Sequence, residues 1–229
     1  MSQKFTILLD LDGTLVDTAP DLMLAHNHVM KKYGYDERKL SDIKKLAGRG
    51  SKIMLTKSLH EIAELSGKIQ KTDDELEEMT KEFIDFYSKN IVKESTLKNG
   101  VLDFLTWCKK NSISMGVCTN KQEHLSIDLL KKIKIYHFFD YVAGGDTFSH
   151  NKPNPKHLID TVEIIGGKVK KTLMIGDSET DSNASKAANI PFVLIKDGYT
   201  EKKVNEIHHN HFIKDFVGLE KIIEKYLND

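Results

Sequence analysis

Arginine is nearly missing from this chain. Of 34 basic residues only Arg38 and Arg49 are arginines; the rest are lysines. Two-pronged recognition of a planar anion, which suits a guanidinium, can therefore fall to few positions. Tryptophan occurs once, proline four times and cysteine twice. Cys108 and Cys118 alone make neither a disulfide framework nor a metal knuckle, and Cys118, which closes an apolar run, reads as a small buried hydrophobe. No sign of charge dominates: 34 acidic residues face 34 basic ones, so no overall positive field exists to hold nucleic acid or an anionic membrane. No apolar run approaches the roughly 20 residues that cross a bilayer. The first residues lack the apolar stretch and small-residue cleavage site of a secretory leader. The expectation is a cytoplasmic monomer or homodimer with neither nucleic acid nor membrane as partner.

What is present is a globular composition. The 229 residues are 39% hydrophobic and 30% charged, enough for one large domain or a core with a smaller insert. Short apolar runs recur at residues 5–9, 113–118, 141–143, 172–175, 192–195 and, more weakly, 212–213. Most are apolar nearly throughout, as strands buried on both faces are. Between them, apolar residues fall at helical spacing: Val101, Leu102, Leu105 and Cys108; Leu125, Leu129 and Ile133; Leu158, Val162 and Ile165. This alternation, from about residue 97 to a final helix at about 216–227, predicts an α/β fold: a Rossmann-like parallel sheet flanked by helices.

Residues 18–93 break the alternation and read as helix alone. Thr18-Ala19-Pro20-Asp21 has the make-up of a helix start: a capping side chain, an early proline and an acid in the first turn. Ile53, Leu55, Leu59 and Ile62 predict a second helix. Thr72-Asp73-Asp74-Glu75 resembles a capping box ahead of a third. The expected organisation is a core of residues 1–16 and 94–229 with an all-helical domain, 17–93, inserted after the first strand.

Chemistry concentrates where predicted strands give way to loops. The segments are Asp10-Leu11-Asp12-Gly13-Thr14-Leu15-Val16-Asp17, Thr119-Asn120-Lys121, Lys152-Pro153 and Gly176-Asp177-Ser178-Glu179-Thr180-Asp181. Ligands of open parallel sheets bind at the carboxyl ends of the strands, so these segments are expected to converge. Asp10, Asp12 and Asp177 supply hard oxygen ligands suited to Mg²⁺. Lys152 supplies a positive charge for a phosphoryl group, Thr119 a hydroxyl donor, and Asn120 with Glu123 the signature of a helix start whose free N–H groups favour an anion. Gly13 allows a tight turn close to a ligand.

These segments, in this order, resemble the haloacid dehalogenase superfamily, in particular its phosphatase branch with a helical cap inserted after the first motif. The resemblance implies that Asp10 is the nucleophile that forms an aspartyl-phosphate, and that Asp12 is the general acid and base. It implies that Mg²⁺ is held by the Asp10 carboxylate, the Asp12 backbone carbonyl and Asp177. Thr119, Asn120 and Lys152 then hold the phosphoryl oxygens, while Asp181, from behind, orients metal-bound water or Lys152. Within the branch, DLDGTLVD (10–17), Thr119-Asn120-Lys121, Lys152-Pro153-Asn154-Pro155 and GDSETD (176–181) look like phosphoglycolate phosphatases. The implied substrate is a small phosphorylated metabolite, 2-phosphoglycolate first. Pyrophosphatases and broad sugar or nucleotide phosphatases share the same core motifs; β-phosphoglucomutases are similar but usually have valine where this chain has Thr14.

Ala47-Gly48-Arg49-Gly50 resembles a cap loop facing the active site, and Arg49 is its candidate contact for a substrate carboxylate or second phosphate. Hinges are expected at residues 14–17 and about 93–98. The remaining polar clusters read as structural. His208, His209 and His211 are too tightly spaced for a helical metal pair and read as a solvated turn before the last strand. His26 and His28 read as partly exposed on the first inserted helix.

Overall fold

A computed structural model of the chain describes residues 4–66 and 71–228; residues 1–3 of the expected core segment, 67–70 of the expected insert and residue 229 lie outside the described residues. The chain opens with β1 (Thr6–Leu9) and a short strand β2 (Val16–Asp17). Four helices follow: α1 (Ala19–Lys32), α2 (Leu40–Leu46), α3 (Ser51–Ser66) and α4 (Asp73–Asn90). A short strand β3 (Thr96–Leu97) then returns antiparallel beside β2, so two paired strands lead into and out of the helical insert. Beyond it come α5 (Val101–Lys110), β4 (Ser114–Cys118), α6 (Glu123–Lys132), β5 (Tyr141–Ala143), α7 (Pro155–Ile165), β6 (Thr172–Gly176) and α8 (Glu179–Ala188). The chain closes with β7 (Phe192–Ile195), β8 (His211–Ile213) and α9 (Glu220–Asn228).

The main sheet has six strands in the order β5-β4-β1-β6-β7-β8, every neighbouring pair parallel. The chain runs outward from β1 to β5, then crosses back to β6 on the other side of β1. The direction of winding therefore reverses between β1 and β6, and a crevice opens there at the carboxyl ends. Alternate residues of the central strands feed opposite faces, as the pleat requires. Ile7, Leu9, Leu173 and Ile175 join one apolar cluster, while Leu8 and Met174 join the other with Leu158 and Val162 of α7. Each such fully buried side chain contributes roughly 1.5–3 kcal/mol relative to exposure. The first cluster continues into the insert through Val29, Met54, Phe83 and Tyr87. Among the described residues no helix is long and apolar enough to cross a membrane.

Several local signals resolve differently from their sequence reading. Thr18 stands at the N-cap of α1 but makes no capping bond; its hydroxyl is turned to Asp12, to which it donates (2.7 Å). Asp21 does more than favour a helix N-terminus. Its buried carboxylate accepts the backbone N–H groups of Lys93 (3.0 Å), Glu94 (2.9 Å) and Ser95 (3.0 Å), pinning the returning linker to α1. Helix α2 was not foreseen; its seven residues offer too little apolar periodicity. The Thr72–Glu75 capping box forms as predicted. Leu102, expected on a buried helix face, points outward and is 51% exposed. Helix α9 starts at Glu220, later than expected, and His211 belongs to β8, its Nε2 lying 2.9 Å from the Tyr226 hydroxyl.

Candidate active site

The sheet register brings the predicted segments to one level. Leu9 pairs with Val117 on one side and Ile175 on the other, so Asp10, Thr119 and Asp177 emerge together just past the strand ends. The Asp10 N–H still bonds to the Ile175 carbonyl (3.0 Å), and the Thr119 N–H to that of Ala143 (2.9 Å), which fixes both backbones. Lys152 reaches in from the segment before α7. Its Nζ donates to Asp10 Oδ1 (2.7 Å) and Asp181 Oδ1 (2.6 Å). The other Asp181 oxygen accepts from the Ser178 N–H (3.1 Å) and hydroxyl (2.8 Å), so Asp181 holds Lys152 while closing the start of its own helix.

Asp177 sits in a tailored seat. Its carboxylate accepts from the Thr14 hydroxyl (3.0 Å) and the Tyr199 N–H (2.6 Å). A Cβ on Gly13 would lie 2.3 Å from Asp177 Oδ2, and one on Gly198 2.8 Å from the same atom. Both glycines leave room for a carboxylate that any side chain would displace. The close approach anticipated at Gly13 is thus made to Asp177.

Electrostatically the cluster is short of positive charge. Asp10, Asp177 and Asp181 are all buried and place carboxylate oxygens within 4.8 Å of one another. Burial, offset by Lys152 and reinforced by Asp181, pushes the Asp10 carboxyl up to about 6. Burial and the two neighbouring carboxylates push Asp177 well above the usual range. For Lys152, burial is outweighed by Asp10 and Asp181, which hold the ammonium charged. Three close carboxylates against one ammonium leave a surplus of negative charge that a divalent cation relieves. The donor set, hard oxygens only, fits Mg²⁺. Asp181 gives one oxygen to the Lys152 ammonium and the other to Ser178; Asp177 also uses both oxygens, but on the neutral donors of Thr14 and Tyr199.

Asp12 stands apart from that cluster. Its carboxylate accepts from Lys121 Nζ (2.9 and 3.1 Å) and the Thr18 hydroxyl. Lys121 had been noted only as the third letter of its motif, with no role. It is the polar residue the sequence reading missed; the available signal was a lysine two positions past Thr119 at a strand end. Asn120 does not start a helix: α6 begins at Glu123 with Gln122 at its N-cap. The Asn120 amide instead donates to the Lys152 carbonyl (2.9 Å), joining two of the predicted segments.

A cavity of about 380 Å³ opens over these groups. Asp10, Asp12, Thr119, Asn120 and Lys121 line its floor; the 47–50 loop, Met54, Phe83 and Tyr87 of the insert line its roof. Arg49 lines the cavity and is also engaged, its Nη2 bonding Glu179 Oε1 at 2.6 Å. Neither His26 nor His28 lines it. His26 is fully buried rather than partly exposed, and His28 stacks on Phe86 beside Glu82.

The family model for haloacid dehalogenase-like hydrolases matches residues 7–195. This chain belongs to that family. The hydrolase is 34% identical over 213 residues to a phosphoglycolate phosphatase of Mesorhizobium japonicum, covering 93% of this chain and 92% of the relative. Its fold matches the crystal structure of a predicted phosphoglycolate phosphatase from Haemophilus somnus with a TM-score of 0.90 at 26% identity, over 97% of this chain and 99% of that one. A β-phosphoglucomutase from Clostridium difficile shares the fold (TM-score 0.78, 23% identity, 98% of each chain). The hydrolase is an enzyme of the phosphatase type, similar to phosphoglycolate phosphatases.

Proposed function

We propose that the hydrolase cleaves a small phosphomonoester, 2-phosphoglycolate first among candidates, through a phosphoryl group carried on Asp10. The observation that carries this reading is the setting of Asp10: a buried carboxylate at the sheet's switch point, bonded to Lys152 and opening into the cavity. An Asp10 oxygen attacks phosphorus as the bond to the leaving oxygen breaks, and Asp12 gives that oxygen its proton. Water, deprotonated by Asp12, then attacks the aspartyl-phosphate; phosphate leaves and Asp10 is restored. Thr119, Asn120 and Lys152 would hold the phosphoryl oxygens, with Asp181 steadying Lys152. Asp10, Asp177 and the Asp12 backbone carbonyl are the groups that would hold Mg²⁺. When bound, the ion offsets the charge between nucleophile and phosphate and stabilises the transition state.

The substrate reading rests on the names of the relatives and on Arg49, whose planar fork suits a carboxylate. Arg49→Ala is expected to raise KM for carboxylate-bearing substrates; an unchanged KM on every accepted substrate removes Arg49 from recognition. The size of the cavity supports a second reading, a broader sugar or nucleotide phosphatase, since about 380 Å³ exceeds the needs of glycolate. We further propose that residues 17–93 act as a cap on a core of 1–16 and 94–229, hinged at the paired strands β2 and β3. A phosphate-release screen over phosphorylated metabolites and pyrophosphate, with Mg²⁺ and with Asp10→Asn as the blank, tests the whole reading. Release from one substrate without a bisphosphate activator excludes a mutase. Activity surviving in Asp10→Asn overturns the mechanism.

A further inference from the structure

Lys121 is the counter-ion of Asp12, and part of what holds Lys121 comes from the insert. An ammonium has three N–H donors. Those of Lys121 reach both Asp12 oxygens, and its Nζ also lies 4.4 Å from the centroid of the Tyr87 ring. Lys121 and Tyr87 are 8% and 1% exposed, so the contact is made away from water, where an ammonium gains most from an aromatic face. Tyr87 sits on α4 and stacks on Phe83, and both line the cavity. Its buried hydroxyl makes no hydrogen bond of ordinary length, though it lies near enough to the Lys121 ammonium to interact with it, so removing the hydroxyl alone separates the ring's part from the phenol's. The lysine is thus clamped between a carboxylate from the sheet side and a ring from the inserted helices.

We propose that Tyr87 is a positioning residue for the proton-transfer step: its ring fixes Lys121 against Asp12, and so links the seating of the insert to the place of the acid/base carboxylate. This rests on the reading of Asp12 as that acid and base. Proton donation matters most when the leaving oxygen is a poor leaving group, such as an alkoxide, and least for an activated phenoxide. The link therefore carries a signature that loss of packing alone does not have.

The test measures kcat and KM on an alkyl phosphomonoester accepted in the screen and on p-nitrophenyl phosphate. Tyr87→Leu is expected to lower kcat on the alkyl ester about tenfold or more, with KM changed less than about threefold, and to lower kcat on the aryl ester by less than about threefold. Tyr87→Phe, which keeps the ring, is expected to restore at least about half of the parent kcat. Lys121→Met added to Tyr87→Leu is expected to cost little more than either change alone, because both act through one carboxylate. If Tyr87→Leu does not fold, Tyr87→Met fills similar volume without a ring and carries the same expectations. Equal losses on both esters, a loss confined to KM, additive effects, or Tyr87→Phe falling as far as Tyr87→Leu each overturn the proposal. Asp12→Asn separates the two levels. If it keeps full activity on the alkyl ester, the acid/base reading fails; if it shows the leaving-group pattern and Tyr87→Leu does not, the Tyr87 link alone fails.

Discussion

The phenol of Tyr199 donates to Asp17 at 2.6 Å, which ties the loop seating Asp177 to the strand that leads into the insert. The same phenol accepts the Ala19 N–H at the start of α1 (2.7 Å), while the Tyr199 backbone N–H holds Asp177. Burial pushes the Asp17 carboxyl up, but Tyr199 and Lys44 outweigh it and hold it below the ordinary range. Tyr199→Phe removes the donor and leaves the Ala19 N–H buried without its acceptor. The expected cost is about 1–3 kcal/mol in a urea unfolding curve, with a fall in kcat. A midpoint and kcat matching the parent protein would show that the bridge has no role.

Mg²⁺ should stabilise the folded protein through Asp10 and Asp177. The thermal midpoint is expected to rise with added Mg²⁺, by the linkage between binding and stability. Asp177→Asn should abolish that rise, since Asp177 is one of the two carboxylates proposed to hold the ion. A rise that persists undiminished in Asp177→Asn places the ion elsewhere.

His157 gives the stability a pH dependence of known sign. Burial and the nearby Lys152 charge lower it to about 4, with Nε2 bound to the Gly144 carbonyl. Its folded pKa lies below the unfolded value of about 6.5, so between the two the unfolded chain binds more protons and stability falls as pH falls. From pH 7 to pH 5 this group alone is expected to remove about 2 kcal/mol. His157→Gln should flatten that part of the profile. Parallel urea midpoints for the two proteins at both pH values would refute the assignment.

If the insert must move during turnover, the Arg49–Glu179 pair marks a place to stop it. Cysteines at positions 49 and 179 joined by a bifunctional cross-linker should lower kcat at least about tenfold relative to the same double variant before linking. The native cysteines, Cys108 and Cys118, are buried and should leave the linkage selective. Turnover unchanged by linkage argues against hinge motion at β2 and β3.

The fold was legible because its central strands β1, β6 and β7 are buried on both faces. Runs such as Phe5 to Leu9 and Thr172 to Ile175 are apolar but for one threonine each, itself a good strand former. The floor of the site was legible for a related reason: Asp10 and Thr119 follow such a run directly, and Asp177 follows one after a single glycine. What escaped was partner choice over distance. Lys121 meets Asp12 across 109 positions of sequence, and no local pattern says that Thr18 will forgo its cap for the same carboxylate. Asp21 was read by its place in a helix turn, yet its partners lie more than 70 residues away. Arg49 was visible by rarity, but its pairing with Glu179 depends on how the insert comes to rest.

The apolar slab beneath one face of the sheet runs without a break into the inserted helices. The four helices pack chiefly on one another, α1 and α3 each on α4, and the apolar cluster they form joins that of the sheet. Excised, residues 17–93 would expose the apolar side chains that meet the sheet's cluster, and heating the whole chain should give one cooperative melting event. The same dependence limits how the roof of the cavity can be exchanged between relatives: a transplanted insert has to match the relief of the slab it lands on, as well as carry the right side chains over the cavity.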